Sequence, residues 1–132
     1  MSNSSKIRDM PKKILLVEDE AALRKTLGAV LKQEGYKMLL ASDGETGLRL
    51  AKTKKPDLIL LDLVLPKLHG FDVLTQLKSD PGTKQIPVIV LTNLEKIEDI
   101  EKAIEMGATT YLIKARYSLE EVVEKVRKIF EE

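Results

Sequence analysis

The feature that most constrains this chain is a fivefold alternation of two hydrophobic patterns. Short aliphatic runs, Ile14 to Val17, Lys37 to Ala41, Leu58 to Asp62, Val88 to Leu91 and Thr110 to Ile113, are each followed by a stretch with helical spacing of apolar residues. Runs this short and continuously apolar suit strands buried on both faces. The helical stretches present Leu23, Leu27, Val30 and Leu31; then Leu48 and Ala51 within Gly44 to Lys54; then Leu74 and Leu77 within Phe71 to Ser79. The fourth, Lys96 to Met106, puts Ile97, Ile100 and Ile104 on one face, and the last buries Leu119, Val122, Val123, Val126 and Phe130. Gly35 and Gly107 stand where helices stop, and Ser118-Leu119-Glu120-Glu121 reads as a capping box. Strict strand–helix alternation predicts an α/β fold: a doubly wound, five-stranded parallel sheet with helices on both faces.

Composition narrows the class. The 132 residues suffice for one domain, and 43% hydrophobic content with only 4% aromatic means an aliphatic core. Residues 1–10 are polar, without periodicity, and read as a disordered tail; residues 11–132 read as the domain. The net charge of +1 argues against a direct nucleic-acid binder. With no Cys, disulfides and thiolate chemistry are excluded. No run is long and apolar enough for a membrane helix or a signal peptide, so the expectation is a cytoplasmic protein without membrane association.

In open α/β sheets, ligands bind outside the carboxyl ends of the strands. Strand one ends in Glu18-Asp19, strand three in Asp62, strand four in Thr92 and strand five in Lys114. Strand two ends in nothing with obvious chemistry. Carboxylates gathered at one place repel unless a cation offsets them. Mg²⁺ prefers oxygen ligands and is held by one or two carboxylates plus a phosphate, and Lys114 adds a second positive charge. This is the equipment of phosphoryl transfer, in which positioning and neutralisation do most of the catalysis.

The segments Lys13 to Glu20, Leu61-Asp62-Leu63-Val64-Leu65-Pro66 with Gly70, Leu91-Thr92, and Gly107 to Lys114 closely resemble the receiver domains of two-component response regulators, from about Pro11 to the C-terminus. The resemblance implies a flavodoxin-like sheet of order 2-1-3-4-5. It implies that Asp62 accepts a phosphoryl group from a sensor histidine kinase or a phosphotransfer protein. It makes Glu18 and Asp19 the Mg²⁺ pair, Asp19 directly and Glu18 through water, with Asp62 and the Val64 backbone carbonyl completing the protein's ligands. It gives Thr92 and Lys114 to the phosphoryl oxygens and makes Tyr111 the aromatic switch residue. The readout surface toward a protein target would be helix four, strand five and helix five. The chain is expected to act as a stand-alone or excised receiver and to catalyse only its own phosphorylation and autodephosphorylation.

Two residues depart from the family pattern. Ala115 follows Lys114 where a cis proline is usual, so the bond is either trans, with a different loop, or strained; Asn93 stands where a small residue is usual. Val64 and Leu94 occupy positions that tune phosphoryl lifetime in the family, and both are apolar, which implies a long-lived phosphoryl-aspartate. Blander readings stand beside these. The acids could serve only a helix N-terminus, Asn93 could be a helix cap, Lys114 could be solvated, and Tyr111 could be a half-buried aromatic. His69 has no metal-ligand spacing around it and reads as exposed. The run from Glu95 to Lys102 is a solvated face or a partner surface. Competing functions are a phosphorylation-independent interaction domain and a small Mg²⁺-dependent phosphatase. Val64 stands where such phosphatases carry a second acid.

Overall fold

The computed structural model describes residues 10–131. The tail expected at residues 1–10 therefore lies outside the described residues, apart from Met10, which is exposed. The strands are β1 (Lys13–Val17), β2 (Lys37–Ala41), β3 (Leu58–Leu61), β4 (Val88–Thr92) and β5 (Thr110–Ile113). The helices are α1 (Ala21–Gln33), α2 (Gly44–Lys54), α3 (Gly70–Ser79), α4 (Ile97–Glu105) and α5 (Leu119–Glu131), with one 3₁₀ turn at Lys114–Arg116. All pairings are parallel and the order is β2-β1-β3-β4-β5, as the resemblance implied. Two strand ends differ from expectation. Sheet pairing stops at Leu61, leaving Asp62 just beyond β3, while β4 continues through Thr92.

Side chains that alternate along a strand point to opposite faces. Leu15 and Val17, Ile59 and Leu61, and Val88 and Val90 face one core, which α2, α3 and α4 cover with Leu48, Ala51, Phe71, Leu74, Leu77 and Ala103. Ile14 and Leu16, Leu58 and Leu60, and Ile89 and Leu91 face the other, covered by Leu27 and Leu31 of α1 and Val122, Val123 and Val126 of α5. The two layers hold the central strands between them, which is why Ile14 to Val17, Leu58 to Leu61 and Val88 to Leu91 are wholly aliphatic.

Helix ends follow their chemistry. Gly35 follows α1 at φ 103°, and the adjacent Tyr36 N–H reaches back to the Leu31 carbonyl at 3.2 Å. The Ser118 box forms reciprocally: Glu121 N–H donates to Ser118 Oγ (3.1 Å) and Ser118 N–H to Glu121 Oε1 (2.8 Å). His69 is exposed as expected, and its Nδ1 caps α3 by accepting from Phe71 N–H at 3.3 Å. On α4 the apolar face is rotated outward. Ala103 is buried, while Ile97 is 67% and Ile104 47% exposed. Among the described residues no helix is long and apolar enough to cross a membrane.

Candidate functional site

A parallel sheet delivers every strand's last residue to the same edge. Backbone bonds fix those ends here: Glu18 N–H donates to the Ala41 carbonyl (2.9 Å) and Asp62 N–H to the Val17 carbonyl (3.1 Å). Glu18 and Asp62 are buried, at 1% and 5% exposure, whereas Asp19 is exposed. One carboxylate oxygen from each of the three lies within 4.8 Å of the others. Asp19 and Asp62 border a cleft of about 320 Å³, lined also by Glu20, Val64, Asn93 and Lys114.

Lys114 ties the acids together. Its Nζ is 2.8 Å from Asp62 Oδ2, 2.8 Å from Glu18 Oε1 and 3.8 Å from Glu20 Oε1. The second Asp62 oxygen, Oδ1, accepts the Val64 N–H at 3.2 Å, and the second Glu18 oxygen, Oε2, accepts the Glu20 N–H at 2.9 Å. Burial alone would lower the Lys114 pKa; the bonds to Asp62 and Glu18 outweigh it, and the ammonium is held above its usual range. Burial pushes the Glu18 carboxyl up, against the opposing bonds from Lys114 and the Glu20 N–H. One ammonium thus faces three clustered carboxylates, and the excess negative charge is what a divalent cation offsets. The donors are hard oxygens on an open cleft, a set suited to Mg²⁺ that keeps several waters.

Thr92 closes β4 with no exposed surface, and its Oγ1 accepts a long bond (3.5 Å) from Leu94 N–H. It is not among the residues that line the cleft. Tyr111, on neighbouring β5, is half-buried, and its hydroxyl donates to the Leu94 carbonyl at 2.9 Å. Burial, then the nearby Asp99 and Asp62 charges, push its phenol up to about 12. Leu94, in the loop between Thr92 and α4, is therefore held through both its N–H and its carbonyl.

The departures from the family pattern resolve as follows. No described peptide bond is cis, so Lys114–Ala115 is trans, and the chain turns through the 3₁₀ segment while Lys114 still reaches both acids. Asn93 is not a helix cap, because α4 begins at Ile97 with Lys96 at its N-cap; Asn93 lines the cleft instead. Val64 is 52% exposed at the cleft, but Leu94 packs against the core under α3 and α4. Sequence reasoning gave no site role to Glu20, which lines the cleft, and read Asp43-Gly44 at the end of β2 only as a turn. The signal for the latter was present in the pairing of Asp43 with Thr46, a helix-cap spacing.

Comparison with known proteins agrees with this geometry. Residues 14–127 match the family model for the response regulator receiver domain. The chain is 41% identical over 120 residues to the alkaline phosphatase synthesis transcriptional regulatory protein PhoP of Bacillus subtilis, covering 91% of this chain and 49% of that one. It spans about half the length of most of the curated relatives it matches. Among solved structures, the phosphorylated cyanobacterial phytochrome response regulator RcpA superposes with a TM-score of 0.77 at 35% identity, covering 92% of each chain. The receiver domain of sensor histidine kinase PA1611 from Pseudomonas aeruginosa superposes with a TM-score of 0.80 at 29% identity, covering 89% of this chain and 96% of that one. It carries a magnesium ion in its active-site cleft. Fold, strand-end chemistry and family match converge: this chain belongs to the response-regulator receiver family, the phosphoryl-accepting domains of two-component phosphorelays.

Proposed function

We propose that Asp62 is the phosphoryl acceptor and that this domain passes the signal to a protein target. The observation that carries the reading is the Lys114 ammonium, 2.8 Å from both Asp62 and Glu18 at a cleft where Asp19 is exposed. A carboxylate oxygen of Asp62 attacks phosphorus as the bond to the donor imidazole of a phosphohistidine breaks, giving an acyl phosphate. The donor is a sensor histidine kinase or a phosphotransfer protein. The Val64 N–H and Lys114 orient the Asp62 carboxylate before transfer. Lys114 then moves from Asp62 Oδ2 to a phosphoryl oxygen, and Thr92 turns its hydroxyl into the cleft. The residues that would hold Mg²⁺ are Asp19, Asp62, the Val64 backbone carbonyl and, through water, Glu18; bound there, the ion supplies neutralisation of phosphoryl charge.

The readout is a population shift. A phosphoryl group biases the loop only by its better contacts with Thr92 and Lys114 in one arrangement. Moving Thr92 disturbs the loop whose Leu94 carbonyl Tyr111 holds, and through it the face of α4, β5 and α5. The exposed Ile97 and Ile104 on that face supply apolar contacts for a protein target. In our reading this domain itself makes no direct contact with nucleic acid or membrane. Autodephosphorylation is slow because Val64 sets an apolar side chain at the cleft's mouth.

Incubation with acetyl phosphate or phosphoramidate and Mg²⁺ is expected to add one phosphoryl mass increment to the wild type and none to Asp62→Asn. No increment in the wild type, or its survival in the variant, would overturn the proposal.

A further inference from the structure

The end of β2 carries no chemistry, yet it touches the loop that carries most of it. The loop from Asp62 to Gly70 orients one Asp62 oxygen through the Val64 N–H and, on the reading above, offers the Val64 carbonyl to the cation. That loop is closed on itself where Gly70 N–H donates to the Leu63 carbonyl at 2.9 Å. Its far side is held by α2. Gly44 N–H donates to the Pro66 carbonyl at 3.2 Å, and the same carbonyl accepts Leu68 N–H at 2.8 Å. Between them, Lys67 sits at φ 70°, a left-handed conformation that a lysine adopts only under constraint.

The approach is close enough to exclude any side chain. A Cβ on Gly44 would lie 1.9 Å from the Leu68 carbonyl oxygen and 2.8 Å from Leu68 C and Cβ. The nearest obstacle is backbone, so no rotamer change relieves it; the loop or the helix must move. Gly44 is itself fixed by the preceding residue. Asp43 is 8% exposed and caps α2, accepting Thr46 N–H at 2.7 Å and Thr46 Oγ1 at 3.0 Å. Those bonds, the backbone N–H foremost, hold the Asp43 carboxyl below its usual range, so the cap is charged and firm.

We infer that the first turn of α2, acting through Gly44, is the positioning element that sets the Val64 backbone and hence the cation affinity of the site. This rests on the Asp62 reading of the cleft. Gly44 touches neither the cation ligands nor Asp62; it acts by fixing Pro66 and Leu68. A displacement of about 1 Å at a reacting group can cost on the order of 100-fold in rate. A general loss of stability alone would not change the affinity of the molecules that remain folded.

The test measures Mg²⁺ affinity by calorimetry, phosphorylation rate from phosphoramidate at subsaturating Mg²⁺, and the unfolding midpoint, on the full chain. Gly44→Ala is expected to weaken Mg²⁺ at least tenfold and to slow phosphorylation correspondingly. Ala51→Gly, in the buried face of the same helix, lowers the midpoint but leaves affinity unchanged. Asp43→Ala, which loosens the turn without adding a clash, weakens Mg²⁺ two- to fivefold; Asp43→Asn, which keeps a cap and removes the charge, leaves affinity at the wild-type value. The inference is overturned if Gly44→Ala binds Mg²⁺ as the wild type does, or if Ala51→Gly loses affinity equally. If Gly44→Ala does not fold, an unchanged affinity in Asp43→Ala overturns it. A wild type that takes up neither Mg²⁺ nor a phosphoryl group defeats the Asp62 reading and this inference together. A wild type that does so while the Gly44 variant is unaffected defeats this inference alone.

Discussion

Lys114 is held by two carboxylates, one of them almost without exposed surface, so its removal leaves a charge stranded. Lys114→Ala should lower unfolding free energy by about 3 kcal/mol in urea titrations without divalent cation. Millimolar Mg²⁺ should restore part of that loss, because it supplies positive charge to the same carboxylates. Tyr111 gives a pH signature of known sign. Its folded pKa of about 12 lies above the ordinary 10.0, so the phenol's contribution to stability is complete below pH 10 and is lost as pH rises toward 12. Urea midpoints should fall across that window, and less steeply in Tyr111→Phe. Val64→Asn should shorten the phosphoryl lifetime by opening the cleft's mouth to water, read by autodephosphorylation. Leu94→Glu should instead cost stability, since Leu94 lies against the core. Asp62, Thr92 and Lys114 were legible in the sequence because each ends an aliphatic run, and the sheet decides where such residues go. Leu94 and Asn93 were not, because a loop has no period from which to read a side chain's direction.

At the scale of elements, the strands and helices were legible almost to the residue. Buried parallel strands and capped helices leave strong local signatures in Gly35, Ser118 and the aliphatic runs. What the pattern could not supply was the orientation of α4. Three isoleucines on one face imply burial, yet the helix buries only Ala103 and turns Ile97 and Ile104 to solvent. Ile97→Asp and Ile104→Asp should each change stability by no more than about 0.5 kcal/mol, as expected of exposed positions. If this face is the readout surface, both should abolish capture of a phosphorylation-dependent target while leaving Asp62 phosphorylation intact. The contact of Gly44 with Leu68 was equally invisible, because it arises only when a helix and a loop distant in sequence are brought together.

For the whole molecule, cation binding should register as global stability. A ligand that binds only the folded chain adds about 2.7 kcal/mol at a hundred times its dissociation constant. Mg²⁺ should therefore raise the thermal midpoint of the wild type, raise that of Asp19→Asn much less, and lose its effect on addition of a chelator. The proposed site is spread from Glu18 to Lys114, its residues fixed at the ends of β1, β3 and β5. A fragment that lacks β1 or β5 lacks part of it. On the proposed reading, a polypeptide whose fifth strand has not been made and docked lacks Lys114 at the site and takes up the phosphoryl group poorly. The phosphoryl mark, on that reading, reports a folded domain as well as the donor's signal.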